Sequence, residues 1–400
     1  MRAPLWAAAL ATLAADSEAR AEPGEGAAGA LDLRASLETG AEYDSNVHRI
    51  EGATADGACR AVRGAPVART GARFGGAWRR APGETLAFSG FGGAKFVGDR
   101  EGQRENAAIG RARASYHKLL GGAVAGVRAG MYDTAAFELA EPDPICDGML
   151  PSREIGLASA AAEIALLGPD DTTARAYAGG RRFRYGADRD FDWWGDHVGL
   201  ELARGRWLGD PDRDADAAHL ELRAGYRLER RRYRGVALTD VCPPDAEPDP
   251  SCFAPSGLGR RDLHHGVTAE LVYTAERMYS ARYELEVHDS NSFGHSLLRQ
   301  RLELGITAEL PWQLLVTAEG ALLLDVYLDS LLLARDVHAQ SFLSIDEENR
   351  NRVAVHVARP LTDRLTAELR YALSSNELSG RDLAFRRHTV YAGAVYRLGD

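Results

Sequence analysis

Two kinds of side chain in this sequence have the type and spacing to do chemistry. His288-Asp289-Ser290-Asn291 sets a base and a hydroxyl two residues apart, and a nucleophile within hydrogen-bond reach of a base is the minimum for acyl transfer. A larger set alternates arginine with carboxylate: Glu221, Arg223, Arg227, Glu229 and Arg231, then Arg282, Glu284 and Glu286, then Arg299, Arg301 and Glu303. Charges at every second position can pair across neighbouring strands. What they do depends on the surface they line. Metal and cofactor chemistry has no comparable signal. His264-His265 would point to opposite faces of a strand, no Cys/His spacing reads as zinc, and there is no phosphate loop or dinucleotide fingerprint. No catalytic residue, metal or cofactor is expected.

The elements that carry these residues are strands. Leu31 to Tyr43 puts its apolar residues on one face and its charges on the other, and His219–Glu229, Tyr279–Val287, Leu298–Leu310 and Leu365–Leu373 repeat the pattern. Alternation of this length means strands with one apolar and one polar face, whereas helical amphipathicity needs apolar pairs at three and four. The runs span about ten to fifteen residues, beyond the five or six usual in soluble sheets and enough to cross a bilayer at a tilt. Strands are expected near 31–45, 66–79, 84–98, 106–119, 122–134, 154–167, 172–185, 191–207, 217–233, 262–274, 277–289, 297–310, 313–327, 349–359, 364–376 and 384–398. The expected fold is all-β, a transmembrane antiparallel β-barrel of about sixteen strands (roughly fourteen to eighteen), with short periplasmic turns and longer external loops.

Composition agrees. Among 400 residues the formal net charge is −10, which gives no global pull toward nucleic acid. Past the N-terminus no stretch approaches the ~20 apolar residues of a membrane helix, which excludes a helical bundle and leaves a barrel open. Arg2, the apolar run Leu5–Ala15 and the small-x-small site Ala19-Arg20-Ala21 have the layout of a secretory signal peptide. Residues 1–21 are read as that leader, 22–29 as a short linker and 30–400 as one barrel domain.

Connections after even-numbered strands are short turns such as Arg80-Ala81-Pro82-Gly83 and Leu120-Gly121, while 48–65, 135–153, 234–261 and 328–348 are long. The alternation fits a periplasmic N-terminus. Aromatics fall in two bands. Trp78, Tyr116, Trp207, Tyr273, Tyr279, Trp312 and Tyr396 lie at inferred periplasmic ends, and Tyr43, Phe96, Tyr132, Tyr185, Phe191, Tyr233 and Tyr327 at external ends.

The first strand, ending Glu42-Tyr43-Asp44-Ser45-Asn46-Val47 with Arg49 after it, resembles the opening of Gram-negative outer-membrane β-barrel proteins of the porin type. The last strand, Val390 to Leu398, resembles their C-terminal assembly signal, although the chain ends Leu398-Gly399-Asp400 without a terminal Phe. The resemblance implies a bacterial outer-membrane location, outer-membrane lipid and lipopolysaccharide as surroundings, and the barrel-assembly machinery as a partner. His288 to Asn291 also resembles the His-x-Ser-Asn stretch of the outer-membrane phospholipase, but here the pair falls on the lumen face, and a strand end running into a turn is the better reading.

About sixteen strands with no plug domain can leave an aqueous lumen. The expected lumen-lining residues are Arg223, Arg227, Arg231, Glu221, Arg282, Glu284, Glu286, Arg299, Arg301 and Glu303. The function expected is a passive pore for small hydrophilic solutes, weakly ion-selective because the signs are interspersed. An export barrel passing polysaccharide or protein with periplasmic partners is the alternative, and a hydrolase ranks third. The four cysteines, Cys59, Cys146, Cys242 and Cys252, all lie in inferred external loops. Export places them in an oxidising compartment, so Cys242–Cys252 is expected to close within one loop and Cys59–Cys146 is the residual pair.

Overall fold

The computed structural model describes residue 29 and residues 31–47, 64–98, 105–136, 154–169, 171–186, 189–209, 217–241, 253–328, 351–376 and 385–398. The leader at 1–21, nearly all of the linker, most of the long 48–65, 135–153 and 328–348 connections, all four cysteines and the side chain of Tyr327 lie outside the described residues.

Sixteen strands follow one another: β1 (Leu31–Asp44), β2 (Ala65–Ala81), β3 (Glu84–Val97), β4 (Ala107–Leu120), β5 (Ala123–Ala136), β6 (Ile155–Leu167), β7 (Thr172–Tyr185), β8 (Trp193–Leu208), β9 (Ala218–Asp240), β10 (Phe253–Thr274), β11 (Arg277–Ser290), β12 (Leu297–Leu310), β13 (Leu314–Tyr327), β14 (Asn351–Pro360), β15 (Leu365–Asn376) and β16 (Phe385–Leu398). Each pairs with its sequence neighbours, and β1 pairs antiparallel with β16 from Ala35↔Leu398 to Asp44↔Thr389, closing the barrel without an edge. The all-β, sixteen-strand expectation is borne out, and most strand ends fall within two residues of their expected positions.

Alternation decides which face turns out. Leu200 (61%), Leu202 (60%), Leu222 (49%) and Leu304 (53%) remain exposed on the outer surface. In a soluble protein so continuous an apolar surface would be a liability, whereas a membrane barrel needs an apolar outer band. Gly83 and Gly121 take positive φ in the short turns, where a side chain would be strained.

Glycines inside strands have a different use. Phe91 lies against Gly71 and Gly93, Tyr391 against Gly40 and Gly393, and Tyr177 against Gly199, so closely that a Cβ at any of these glycines would collide with the ring. The rings cover backbone that glycine leaves bare, tying adjacent strands together.

The structure corrects the sequence reading in two places. Much of the expected 234–261 loop is strand: β9 runs to Asp240 and β10 starts at Phe253, with register shifts between Pro255, Gly259 and Arg261. Bulges there let pairing continue past a proline and two glycines that read as loop in sequence. The external aromatic band is also incomplete. Tyr185 and Tyr233 turn inward and pack with Ile155, Phe183 and Trp193, with Tyr132 and Phe191 against them. At the other end Trp207 shares its register row and face with inward His219. A strand-end aromatic can point either way, and only register decides.

Candidate functional site: the inner wall

Buried and half-buried ion pairs gather where side chains converge, on the concave side of a closed sheet, and three of them skip a strand. Arg181 of β7 reaches Glu229 of β9 at 3.3 Å, passing β8 where Gly195 stands beside Arg181 in register. Arg227 of β9 reaches Glu286 of β11 at 2.7 Å over Gly266 of β10. Arg370 of β15 reaches Glu38 of β1 at 3.0 Å across β16. The low exposure of these pairs, set against the exposed leucines of the other face, marks the inside, and register carries it round all sixteen strands: across the middle of the barrel most charges turn in where leucines turn out. The chain is a transmembrane β-barrel. A closed antiparallel barrel of even strand number with an apolar belt is the architecture of the bacterial outer membrane.

The charged residues singled out in sequence all fall on this inner face and form several ion-paired groups. Arg223 donates to Glu221 at 2.7 Å and to Glu270 at 3.4 Å. Arg227 joins Glu286 and lies 4.0 Å from Glu284, which Arg282 approaches at 3.6 Å. Arg299 binds Asp325 through two nitrogens at 2.9 and 3.1 Å, and Arg301 meets Glu303 at 2.6 Å. Arg231 donates to Glu229 at 2.9 Å. Glu229 has no exposed surface and gathers Arg181, Arg227 and Arg231 around one carboxylate. Sequence alone missed Arg181 as a partner, because the pair spans an intervening strand.

Stacked arginines are a second feature. Arg73 lies 5.4 Å over Phe91. Arg69 and Arg370 lie 5.5 and 4.8 Å over Tyr391, and Arg128 and Arg175 lie 5.0 and 5.5 Å over Tyr177. Guanidinium faces are held on rings that are themselves seated on glycine, which leaves N–H edges to bind carboxylates. Glu42 takes Arg69 at 2.6 Å, Glu38 takes Arg73 at 3.1 Å, and Glu163 takes His117 at 2.8 Å with Arg128 at 3.6 Å.

The distribution of sign is uneven. The inward positions of β2–β5 include Arg69, Arg73, Lys95, Arg111, Arg113 and Arg128, and among the described residues no carboxylate. Arg69 and Lys95 are direct cross-strand partners. Acids that meet this face include Glu38, Glu42 and Asp44 of β1 and Glu163 of β6. Alternation in the sequence already puts these arginines on the lumen side; that the stretch carries one sign shows only when the strands are set side by side.

His288 and Ser290 do not act on each other. The Ser290 hydroxyl donates to Asp262 at 2.6 Å, and His288 pairs with Glu286 at 3.0 Å while its ring lies 4.0 Å from that of His264. Asp262 also takes two bonds from Arg260, at 3.1 and 2.6 Å. Among the described residues no three His, Cys, Asp or Glu side chains are grouped to hold a metal ion.

No family model and no curated protein matches the chain. Solved structures of similar form include an anion-selective porin from Comamonas acidovorans, at 11% identity over 92% of this chain and 100% of that one, with a TM-score of 0.43. Pseudomonas putida OprB matches at 12% identity over 92% and 94%, TM-score 0.44, and a BenF-like porin from Pseudomonas fluorescens Pf-5 at 8% over 92% and 98%, TM-score 0.46. The likeness is one of general form, and the fold assignment rests on strand order and register.

Proposed function

We propose that the barrel is a passive, porin-like channel for small hydrophilic solutes, with weak selectivity between simple cations and anions. The observation that carries this reading is an inner wall lined by charge in a closed barrel of sixteen strands, a size that leaves an aqueous channel. Both signs line the wall, so neither is excluded along the whole path. Transport rather than hydrolysis is the better reading of His288 and Ser290, because each is engaged by a different carboxylate.

Proteoliposome swelling tests the reading. Isosmotic arabinose, glucose and a disaccharide should enter at rates that fall with size and rise linearly with concentration. Folded protein that admits none of them, or entry that saturates for one sugar alone, overturns it.

A further inference from the structure

The outer surface carries a charged patch that the channel reading does not use. On the outward face at the external ends of β7 and β8, and at the same level of the longer β9 and β10, Arg182, Trp194, Arg232 and Arg261 form one register row. Arg234 stands two residues further out on β9. Arg184 and Arg230 border the row and already have partners, Asp133 at 3.1 Å and Asp196 at 2.9 Å. No carboxylate among the described residues lies within ion-pair distance of Arg182, Arg232, Arg234 or Arg261, although Asp289 shares the outward face one row below Arg261 on β11. Arg232 and Arg261 are direct cross-strand partners, and like charges so placed destabilise a sheet pair unless something lies between them.

The place of the patch says what that is. Val198, Leu200 and Leu202 begin the lipid-facing belt just below it, and Trp194, half exposed, sits within the row itself, at the level interfacial rings take. The patch therefore stands at headgroup depth on the side of the long connections, the outer leaflet. It is also local. Around the rest of the external rim the outward positions are residues such as Leu298, Val326, Pro66 and Ala108, with Arg386 the one arginine or lysine among the described residues.

We infer that this patch binds the phosphorylated headgroup of an outer-leaflet glycolipid, with Arg182, Arg232, Arg234 and Arg261 on its phosphates and the apolar belt below along its acyl chains. Neighbouring strands lie about 4.8 Å apart and residues two apart on a strand about 6.7 Å, so Arg182 and Arg261 stand about 14 Å apart at the backbone and a headgroup carrying two phosphates spans the four guanidiniums. Guanidinium forks match phosphate oxygens in pairs. A bound phosphate would turn the Arg232–Arg261 repulsion into two attractions. The inference depends on which end of the barrel faces outward and not on whether the lumen conducts.

Native mass spectrometry of the refolded full-length chain in detergent tests it, with bisphosphorylated lipid A, dephosphorylated lipid A and inorganic phosphate as separate probes. The wild type should retain bisphosphorylated lipid A at least tenfold more tightly than the dephosphorylated form, and inorganic phosphate should not compete at equal concentration. Replacing all four arginines (R182Q, R232Q, R234Q, R261Q) should remove that difference, while Arg386→Gln should leave it in place. Equal retention by wild type and fourfold variant, equal loss in Arg386→Gln, or full competition by inorganic phosphate each overturns the assignment. Heat-modifiable migration reports folding. If the fourfold variant does not fold, the pair R182Q and R261Q carries the same comparison, with retention equal to wild type again contradicting the site.

Discussion

Two stretches of the inner wall are built from the same arginines to different ends. On β9–β13 the acids come from the same strands as the cations, and bonds such as Arg227–Glu286, Arg223–Glu270 and Arg299–Asp325 join one strand to another. On β2–β5 the inner face carries one sign, and its acids are supplied from the flanking strands. The first stretch works as a brace whose charges largely cancel over a Debye length of ~10 Å at 0.1 M salt. The second gathers cations on its own strands and borrows acids at its edges. Stability and selectivity should therefore respond to substitutions in different places.

The largest effect is expected at the hub of the braced wall. Glu229→Gln keeps the shape and leaves Arg181, Arg227 and Arg231 facing one another without their shared carboxylate. Removing one member of a buried ionic cluster costs about 3–5 kcal/mol, read as a shift in urea midpoint during refolding into micelles. Glu303→Gln, whose partner Arg301 is a third exposed, should cost no more than about 1 kcal/mol. Equal costs would mean that the hub is not a brace.

The comparison depends on the inside–outside assignment, which the next pair of variants probes. Leu222→Arg puts a charge among lipid-facing side chains and should cost about 2–4 kcal/mol near the midplane. Arg223→Leu, one residue on, leaves Glu221 and Glu270 facing the lumen and should be milder. If refolding titrations rank them the other way, the two faces are exchanged.

Much of this was legible in the sequence because the period of two is so regular. Leu222 and Arg223 could be assigned to opposite faces from neighbours alone, and the Asn351–Pro360 and Leu365–Asn376 strands were placed to within two residues. Legibility failed where a residue's meaning depends on the next strand. Tyr185 and Tyr233 read as members of an external girdle until register placed them beside Trp193 inside the barrel. The one-signed face of β2–β5 is spread over sixty residues of chain and appears only when Arg69 is set opposite Lys95. Arg181 pairs with Glu229 because Gly195 leaves room between them, a relation among three strands that no local pattern records.

Above the braced wall, His295 in the β11–β12 connection gives a pH test. Burial first, then the Arg260 guanidinium, holds its imidazole down to about 4 against an ordinary 6.5. Its Nδ1–H donates to the Phe293 carbonyl at 3.0 Å. The unfolded chain binds this proton more readily, so the stabilisation is complete above pH ~6.5 and is lost as pH falls toward 4, by at most about 3 kcal/mol. Protection factors at Asn291–Ser296, with the intrinsic exchange rate at each pH divided out, should fall over that window, and His295→Gln should remove the fall. A pH-independent protection factor in the wild type would contradict the buried neutral imidazole.

The smallest effects concern selectivity and should have opposite signs in the two stretches. Arg111→Gln with Arg113→Gln thins the one-signed face and should move the permeability ratio toward cations by about twofold, ~0.4 kcal/mol. Glu284→Gln with Glu286→Gln removes the acid beside Arg282 and leaves Arg227 with the more distant Glu229, and should move it toward anions by a similar factor. Shifts of the same sign would dissolve the distinction between the two walls.

Planar-bilayer conductance of the refolded wild type most directly tests the central claim that this barrel is an open, weakly selective channel. Ohmic steps on the scale of a sixteen-strand pore, with a reversal potential close to zero across a salt gradient, are the predicted result. A silent bilayer with protein shown to be folded would contradict it and favour an export barrel closed at rest.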